Sequence, residues 1–483
     1  MKRAISTTVV LAAVLLLLPA SGATPAQERP PSRLLAGAAA SNITPPLGEL
    51  IVGNWTPMPA THVHDELHAR CLVLEERGER LAIVIADNVG IPQRVLDEAK
   101  RLTQKQSKIP VERILIASTH THSATTARAS EGSEDDSTPL TFYQTFLAAR
   151  IADGIARAVN NLEPARIGWG AGSLPEQVFN RRWFMKPGPD LDNPFGGTDK
   201  VRMNPPVGSP NLLEPAGPTD PEIAFLSVQS ESGRPIALLA NYSLHYVGGV
   251  PNGHVSADYF GVFAGRIAGL LEHGGGGPPF VAMLSNGTSG NINNINFRGG
   301  QKRLPSYARM ELVANQVAAE VFRAMQGIEY HDSVPLKILQ RELTLETRRP
   351  TGKLVAWARE ILARPEGAPS KHPRERIYAE RTLQMMNMPP RIDVPLQAVR
   401  IGDLAIATIP FEVFVEIGLE LKEKSPFPDT FVASLANGSY GYLPTVAHHE
   451  LGGYETWLGT NKVETQTAPQ IVAALLEMLG KLK

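Results

Sequence analysis

Ile114-Leu115-Ile116-Ala117-Ser118-Thr119-His120-Thr121-His122-Ser123 passes from an apolar run into a polar cluster. A short apolar run closed by polar residues reads as a buried strand, and the hydroxyls and imidazoles after it mark the strand's carboxyl end. The same transition recurs along the chain. Leu81 to Ala86 precedes Asp87-Asn88, Ile236 to Ala240 precedes Asn241-Tyr242, and Phe280 to Leu284 precedes Ser285-Asn286-Gly287. Leu404 to Ile409 precedes Pro410-Phe411-Glu412, and Thr430 to Leu435 precedes Asn437. Helical spacing of apolar residues appears over Gln93 to Thr103, Leu140 to Val159, Tyr259 to Leu271, Tyr307 to Met325 and Ala468 to Leu482. Intermingled strands and helices predict an α/β fold, a single large mixed-sheet layered domain with helices packed on the sheets. In such folds ligands gather beyond the carboxyl ends of strands, so polar residues far apart in sequence can converge there.

Composition is consistent with that fold. Of 483 residues, 43% are hydrophobic and 20% charged, enough apolar surface for a packed core. A formal net charge of -1, with no block of like charges, gives no field to attract nucleic acid, which excludes that class of partner. Residues 1–26 carry Lys2 and Arg3, an apolar run from Val9 to Leu18, then small residues around Ser21 and Ala23, the pattern of a secretory signal peptide. The expected location is therefore secreted or periplasmic, and the mature domain is expected over residues 27–483. The single cysteine, Cys71, lies in the apolar run Arg70-Cys71-Leu72-Val73-Leu74 and reads as inert core filling. From about Pro175 to Pro221 the chain is rich in Pro, Gly, Asn and Asp and lacks periodicity, so it reads as a long surface arm. Gly274 to Gly277 reads as a turn before a strand, and no internal repeat is visible.

The chemistry concentrates at the strand ends. His120 and His122 form a His-X-His pair, and imidazole is a common zinc ligand, but a site needs three or four donors. Other donors end other strands: His245 in Asn241-Tyr242-Ser243-Leu244-His245, Glu412 after Pro410-Phe411, and Tyr442 in Asn437-Gly438-Ser439-Tyr440-Gly441-Tyr442. Each alone is weak, since such residues more often satisfy loop carbonyls or solvent. His62, His64 and His68, clustered with Asp65 and Glu66, form a second and weaker candidate.

Taken in order, these segments resemble the N-terminal catalytic domain of the neutral, non-lysosomal ceramidases. Ala39-Ala40-Ser41-Asn42-Ile43-Thr44-Pro45-Pro46-Leu47-Gly48 resembles the family's opening segment, and Thr119-His120-Thr121-His122-Ser123 its hallmark. Asn241 to His245, Pro410-Phe411-Glu412 and Asn437 to Tyr442 follow, with Tyr454 twelve positions further on. The resemblance implies a zinc-dependent amidase that cleaves the amide bond of an N-acyl lipid such as ceramide with a metal-activated water. It implies that His120, His245, Glu412 and Tyr442 coordinate Zn2+, with His122 and Tyr454 beside the scissile carbonyl and Arg181 contacting substrate. A lipid or other small-molecule substrate also implies transient contact with a membrane surface.

The match departs from the family in two places. Where the family has Gly-Asp-Val-Ser-Pro-Asn, this chain has Asn286-Gly287-Thr288-Ser289-Gly290-Asn291-Ile292-Asn293-Asn294. One register places Ser289 at the family serine; the other, which keeps Gly followed by a polar and an aliphatic residue, places Asn293 there. The family also continues into a C-terminal β-sandwich, for which the sequence after Tyr454 leaves no room. Alternative readings are a zinc hydrolase of another amide, an ester or a lactone, and a non-catalytic extracellular binding protein.

Overall fold

The computed structural model describes residues 33–53, 55–125, 127, 138–271, 277–365 and 367–483. The expected signal peptide, and the turn expected over most of Gly274 to Gly277, lie outside the described residues. The apolar runs fall into one supersecondary unit used three times: an antiparallel strand pair, a helix, and a third strand parallel to the second. The first unit is His68–Glu76, Glu79–Ala86, helix Gln93–Ser107 and Ile114–Ser118. The second is Glu222–Ser230, Pro235–Tyr242, helix Asp258–Leu271 and Val281–Asn286. The third is Arg391–Ile401, Leu404–Ile409, helix Val415–Lys424 and Asp429–Ser434. Apolar strands and an amphipathic helix suffice to build the unit, which is why a structural repeat exists without a sequence repeat.

Leu35–Asn42 and Glu163–Ser173 join the first two units into an eight-stranded mixed sheet, while Leu336–Glu346 extends the third unit to four strands. The two sheets share one apolar layer, with Leu72, Ile83 and Leu239 from the larger and Val399, Ile406 and Phe431 from the smaller. Helices cover the outer faces. Gln93–Ser107 and Phe142–Asn160 cover one half of the larger sheet, Asp258–Leu271 and Ala308–Met325 the other. Val415–Lys424 and Thr467–Leu482 cover the smaller sheet. The layered α/β fold read from the sequence is the fold observed. Burying a single Leu or Ile side chain in these layers contributes roughly 1.5–3 kcal/mol.

Leu35–Asn42 is too rich in Ala and Gly to announce itself as a strand. It is a strand because it pairs along its whole length with His68–Glu76, and its residues are small because the helix Phe142–Asn160 lies almost on its backbone: a Cβ on Gly37 would stand 2.2 Å from Ala158 O. Cys71 sits on the neighbouring strand, fully buried, with its thiol pushed up to about 12 by burial, and is inert as expected. The segment from Pro175 to Pro221 is less irregular than its composition suggested. Val201–Met203, Arg182–Met185 and Leu212–Pro215 form a small antiparallel sheet with its own core of Trp183, Met185, Leu191 and Phe297. Strands of three or four residues are too short for periodicity to reveal.

The hydrogen-bonding pattern sends the two end strands of the large sheet in opposite senses, yet Val281–Asn286 and Ile114–Ser118 contact each other. Twist explains this: about 20–25° between neighbours accumulates to roughly 150° across the sheet. The curled sheet therefore brings the carboxyl ends of both parallel strand pairs to one place.

Candidate metal centre

His120 follows the last strand of the first unit. Its φ of +68° is the left-handed region, which costs a non-glycine residue about 1–2 kcal/mol. The turn is held by backbone bonds from Thr119 N to Ala86 O (3.0 Å) and from His120 N to Asn88 O (2.9 Å). It lets both histidines of the pair reach one point: His120 Nε2 and His122 Nε2 stand 3.1 Å apart. His245, a few residues beyond the strand Pro235–Tyr242, brings a third ring 4.6 Å from that of His120. One ring nitrogen from each of the three lies within 4.8 Å of the others.

The third unit supplies oxygen. Glu412 and Tyr442 are register partners in a short parallel bridge, which sets their side chains next to each other. Glu412 Oε2 stands 3.3 Å from His120 Nε2. Tyr442 Oη accepts from Arg181 Nη2 at 2.9 Å.

Each imidazole is oriented by its other nitrogen. The Nδ1 atoms face backbone carbonyls, His120 to Val89 O at 2.5 Å, His122 to Gly53 O at 2.8 Å and His245 to Ser289 O at 3.1 Å. A carbonyl only accepts, so each Nδ1 carries the proton and each Nε2 presents a lone pair. Lone pairs from the imidazoles then face one another and a carboxylate. His245 Nε2 and Glu412 Oε2 are buried with no hydrogen-bond partner. Leaving these two buried acceptors unpartnered is costly unless a cation lies between them. Two or three nitrogens, a carboxylate and a phenol oxygen fit zinc.

The electrostatics agree. Burial, with Arg181 and the other imidazoles adding to it, lowers His245 well below the ordinary histidine range; burial and His120 do the same for His122. Burial alone would raise Glu412, but His120, Tyr442 and Arg181 outweigh it and hold the carboxyl at about 2. Burial raises Tyr442 well above its ordinary value, although Arg181 opposes it.

The remaining sequence candidates divide. Tyr454 stands beside Tyr442, ring centroids 5.7 Å apart, and lines a cavity next to the centre. Arg181 is buried and bonds to Tyr442, to Gly290 O at 2.7 Å and to Glu455 at 3.2 Å. Ser289 lies on the Nδ1 side of His245, and its hydroxyl donates to Asn286 Oδ1 at 2.7 Å. Asn293 bonds Asn204 Oδ1 at 2.9 Å and pairs with Phe179 of the arm, with no contact to the imidazoles among its hydrogen bonds. His62, His64 and His68 do not form a metal-competent group among the described residues.

Three supporting residues escaped the sequence reading. Tyr246 stacks on His122 at 3.8 Å, and its place next to His245 was a usable signal. Glu455 is fully buried and bridges Arg181 and Arg182, at 3.2 and 2.6 Å. Gly53 contributes only a carbonyl, which no side-chain pattern could announce.

Comparison with known proteins places the fold and the family. A crystal structure of neutral ceramidase from Pseudomonas aeruginosa superposes with a TM-score of 0.68 at 19% identity, covering 93% of this chain and 74% of that one. A ceramidase structure described as complexed with C2 gives 0.67 at 17% identity, covering 93% and 75%. At that identity the likeness establishes the fold. No curated protein sequence matches. The family model for the N-terminal part of neutral/alkaline non-lysosomal ceramidase matches residues 35–303, and with more than half of its length so matched the chain belongs to that family.

Proposed function

We propose that the protein is a zinc-dependent amidohydrolase that cleaves the amide bond of an N-acyl lipid of the ceramide type, and that it is exported by the signal peptide read in residues 1–26. The observation that carries the reading is the set of Nε2 lone pairs held inward by three Nδ1-to-carbonyl bonds, facing Glu412 and Tyr442. His120, His245, Glu412 and Tyr442 would hold the ion. The chemistry zinc supplies when bound there is activation of a water for attack on the amide carbonyl.

The chain's own residues do the rest. His122 takes a proton at Nε2 and returns it to the leaving nitrogen, a role suited to an imidazole whose Nδ1 is already committed to Gly53 O. The stacked Tyr246 keeps the ring from turning. Burial keeps the Tyr454 phenol protonated, so its hydroxyl can donate to the oxyanion as the carbonyl becomes tetrahedral. Arg181 keeps its charge because Tyr442, Glu455 and Glu412 outweigh burial, and it orients the Tyr442 oxygen. Ser289 orients His245 through its carbonyl, a supporting place that leaves no need for a serine nucleophile.

Hydrolysis of a fluorescent ceramide by wild type and His122→Ala, with zinc measured in both, tests the assignment. Turnover in the wild type, lost by about 100-fold or more in the variant while zinc is retained, is the expected result. Loss of zinc along with turnover would make His122 a ligand. No amide hydrolysis by zinc-loaded wild type would defeat the reading.

A further inference from the structure

His120 and His122 belong to the first supersecondary unit and His245 to the second, so an ion among them needs two separate turns held at a fixed distance. The segment 256–258, which runs into the helix Asp258–Leu271, reaches both turns. On one side Thr121 Oγ1 donates to Ser256 O at 2.8 Å and Ser256 N donates to Ser123 O at 2.9 Å. Those bonds hold the residue between the two histidines and the residue after them. On the other side the Asp258 carboxylate accepts from Val247 N at 3.1 Å and from Gly248 N at 2.8 Å. Those two residues follow His245 and Tyr246, so the same hold keeps Tyr246 stacked on His122 at 3.8 Å.

The arrangement is built against local preference. Asp258 has a φ of +55°, a left-handed conformation that costs a non-glycine residue about 1–2 kcal/mol and persists only where the surroundings enforce it. A capping carboxylate ordinarily turns to an N–H two or three positions into its own helix. Asp258 instead bonds Tyr259 N, the next residue, at 2.6 Å and turns the rest of its capacity to the other turn. Thr121, Ser256 and Asp258 are all fully buried, where such bonds are strongest. Asp65 fixes the middle of the segment: it accepts from Ser256 Oγ at 2.5 Å and from Ala257 N at 2.7 Å, and Ser256 Oγ accepts from Asp258 N at 3.0 Å. Asp65 lies in the histidine-rich stretch 62–68, whose His62 and Val63 pair with His254 and Val255. That stretch thus serves the inner cluster through a carboxylate, without lending an imidazole.

We propose that segment 256–258 is a clamp between the two ligand-bearing turns and that Asp258 is its positioning residue, setting the distance of His245 from His120 and His122 and thereby the affinity for the ion. The proposal rests on the zinc amidase reading above and adds to it a residue whose own hydrogen bonds reach none of the ligand side chains.

Zinc dissociation constants, taken by competition with a chelating dye, and the visible absorption of the cobalt-loaded full chain are compared for wild type, Asp258→Asn, Thr121→Val and the double variant. Asparagine tolerates the left-handed backbone but sets an amide N–H against a backbone N–H, and valine keeps the shape of threonine without its donor. Each single variant is expected to bind zinc about 10- to 100-fold more weakly and to shift the cobalt bands, and at saturating zinc to lower kcat for ceramide while KM holds. The double variant is expected to bind no more weakly than the weaker single one, because either change opens the same clamp. Wild-type zinc affinity with an unshifted cobalt spectrum in the two single variants would overturn the inference, whatever their thermal stability, and so would losses that add in the double variant. Should Asp258→Asn fail to fold, Thr121→Val alone carries the same expectation and the same contradiction. Wild type that binds neither metal would defeat the metal reading and the clamp with it. Metal-loaded wild type that leaves ceramide intact would defeat only the substrate, with the clamp still decided by zinc affinity.

Discussion

Two histidine clusters in this molecule differ in the one respect that matters for metal binding. In the inner cluster His120, His122 and His245 each give Nδ1 to a carbonyl and turn Nε2 inward. In the outer one, His62 and His254 are register partners in a short parallel bridge, and their rings tilt against each other at 4.5 Å. His254 Nδ1 meets Tyr307 Oη at 2.5 Å, and His64 stacks on the same tyrosine at 3.7 Å. Both clusters involve short strands or strand ends; the sequence offered His62, His64 and His68 only as the weaker candidate, and His254 joins the first two only in the fold. What separates them is which nitrogen is already occupied and whether the remaining lone pairs converge. Histidine number and proximity decide little; the atom that fixes the ring decides the ligand.

The largest effect expected from this contrast is on metal and turnover. His120→Ala removes a donor from the inner set and should abolish tight zinc binding. The loss of several kcal/mol of transition-state stabilisation then lowers amide hydrolysis by about 1,000-fold or more, as steady-state assays would register. Next in size is the charge support behind the inner cluster. Glu455→Ala leaves Arg181 and Arg182 buried without their carboxylate and should cost about 3–5 kcal/mol in urea denaturation.

A smaller effect concerns acid. His122 and His245 have folded-state values below the ordinary 6.5, and His448 and His449 are lowered to about 4, in each case chiefly by burial. At these four histidines the unfolded chain binds more protons than the folded one below pH 6.5, so their contribution to stability falls as pH falls, for the last two down to about pH 4. They outnumber the opposing carboxyl of Asp258, which burial raises to about 6. Thermal denaturation of the metal-free protein should show a lower Tm at pH 5 than at pH 7. Zinc affinity should weaken in the same direction, because protons compete for the same Nε2 atoms. At the bottom of the scale, His62→Ala alters an exposed ring of the outer cluster. Its stability should stay within about 0.5 kcal/mol of wild type, with zinc content unchanged.

Much of this was legible in the chain because burial and period are local properties. Leu404–Ile409 is the strand the apolar run marked, and Gln93, Asp258 and Thr467 open helices within a residue of where the helical spacing begins. Strand ends then named His120, His245, Glu412 and Tyr442 as residues that could meet; in the fold His120 and His245 cluster with His122, Glu412 stands beside His120, and Tyr442 beside Glu412. What stayed hidden depends on atoms that carry no side-chain signature. The carbonyls of Val89, Gly53 and Ser289 set the rings, and the Ala-rich strand Leu35–Asn42 is fixed by its pairing with His68–Glu76, its small residues making room for a helix. The threefold use of one supersecondary unit was hidden for the same reason: it is a repeat of backbone geometry, filled by unrelated apolar side chains. The sequence favoured Asn293 over Ser289, because that register keeps Gly followed by a polar and an aliphatic residue; their hydrogen bonds place Ser289 behind His245 and Asn293 against the arm.

Zinc content after reconstitution and desalting, measured side by side for wild type, His245→Ala and His254→Ala, bears on the central claim most directly. The inner-cluster account predicts one equivalent of zinc in wild type and in His254→Ala, and almost none in His245→Ala. Wild type without zinc, or His245→Ala retaining it while His254→Ala loses it, would contradict the account.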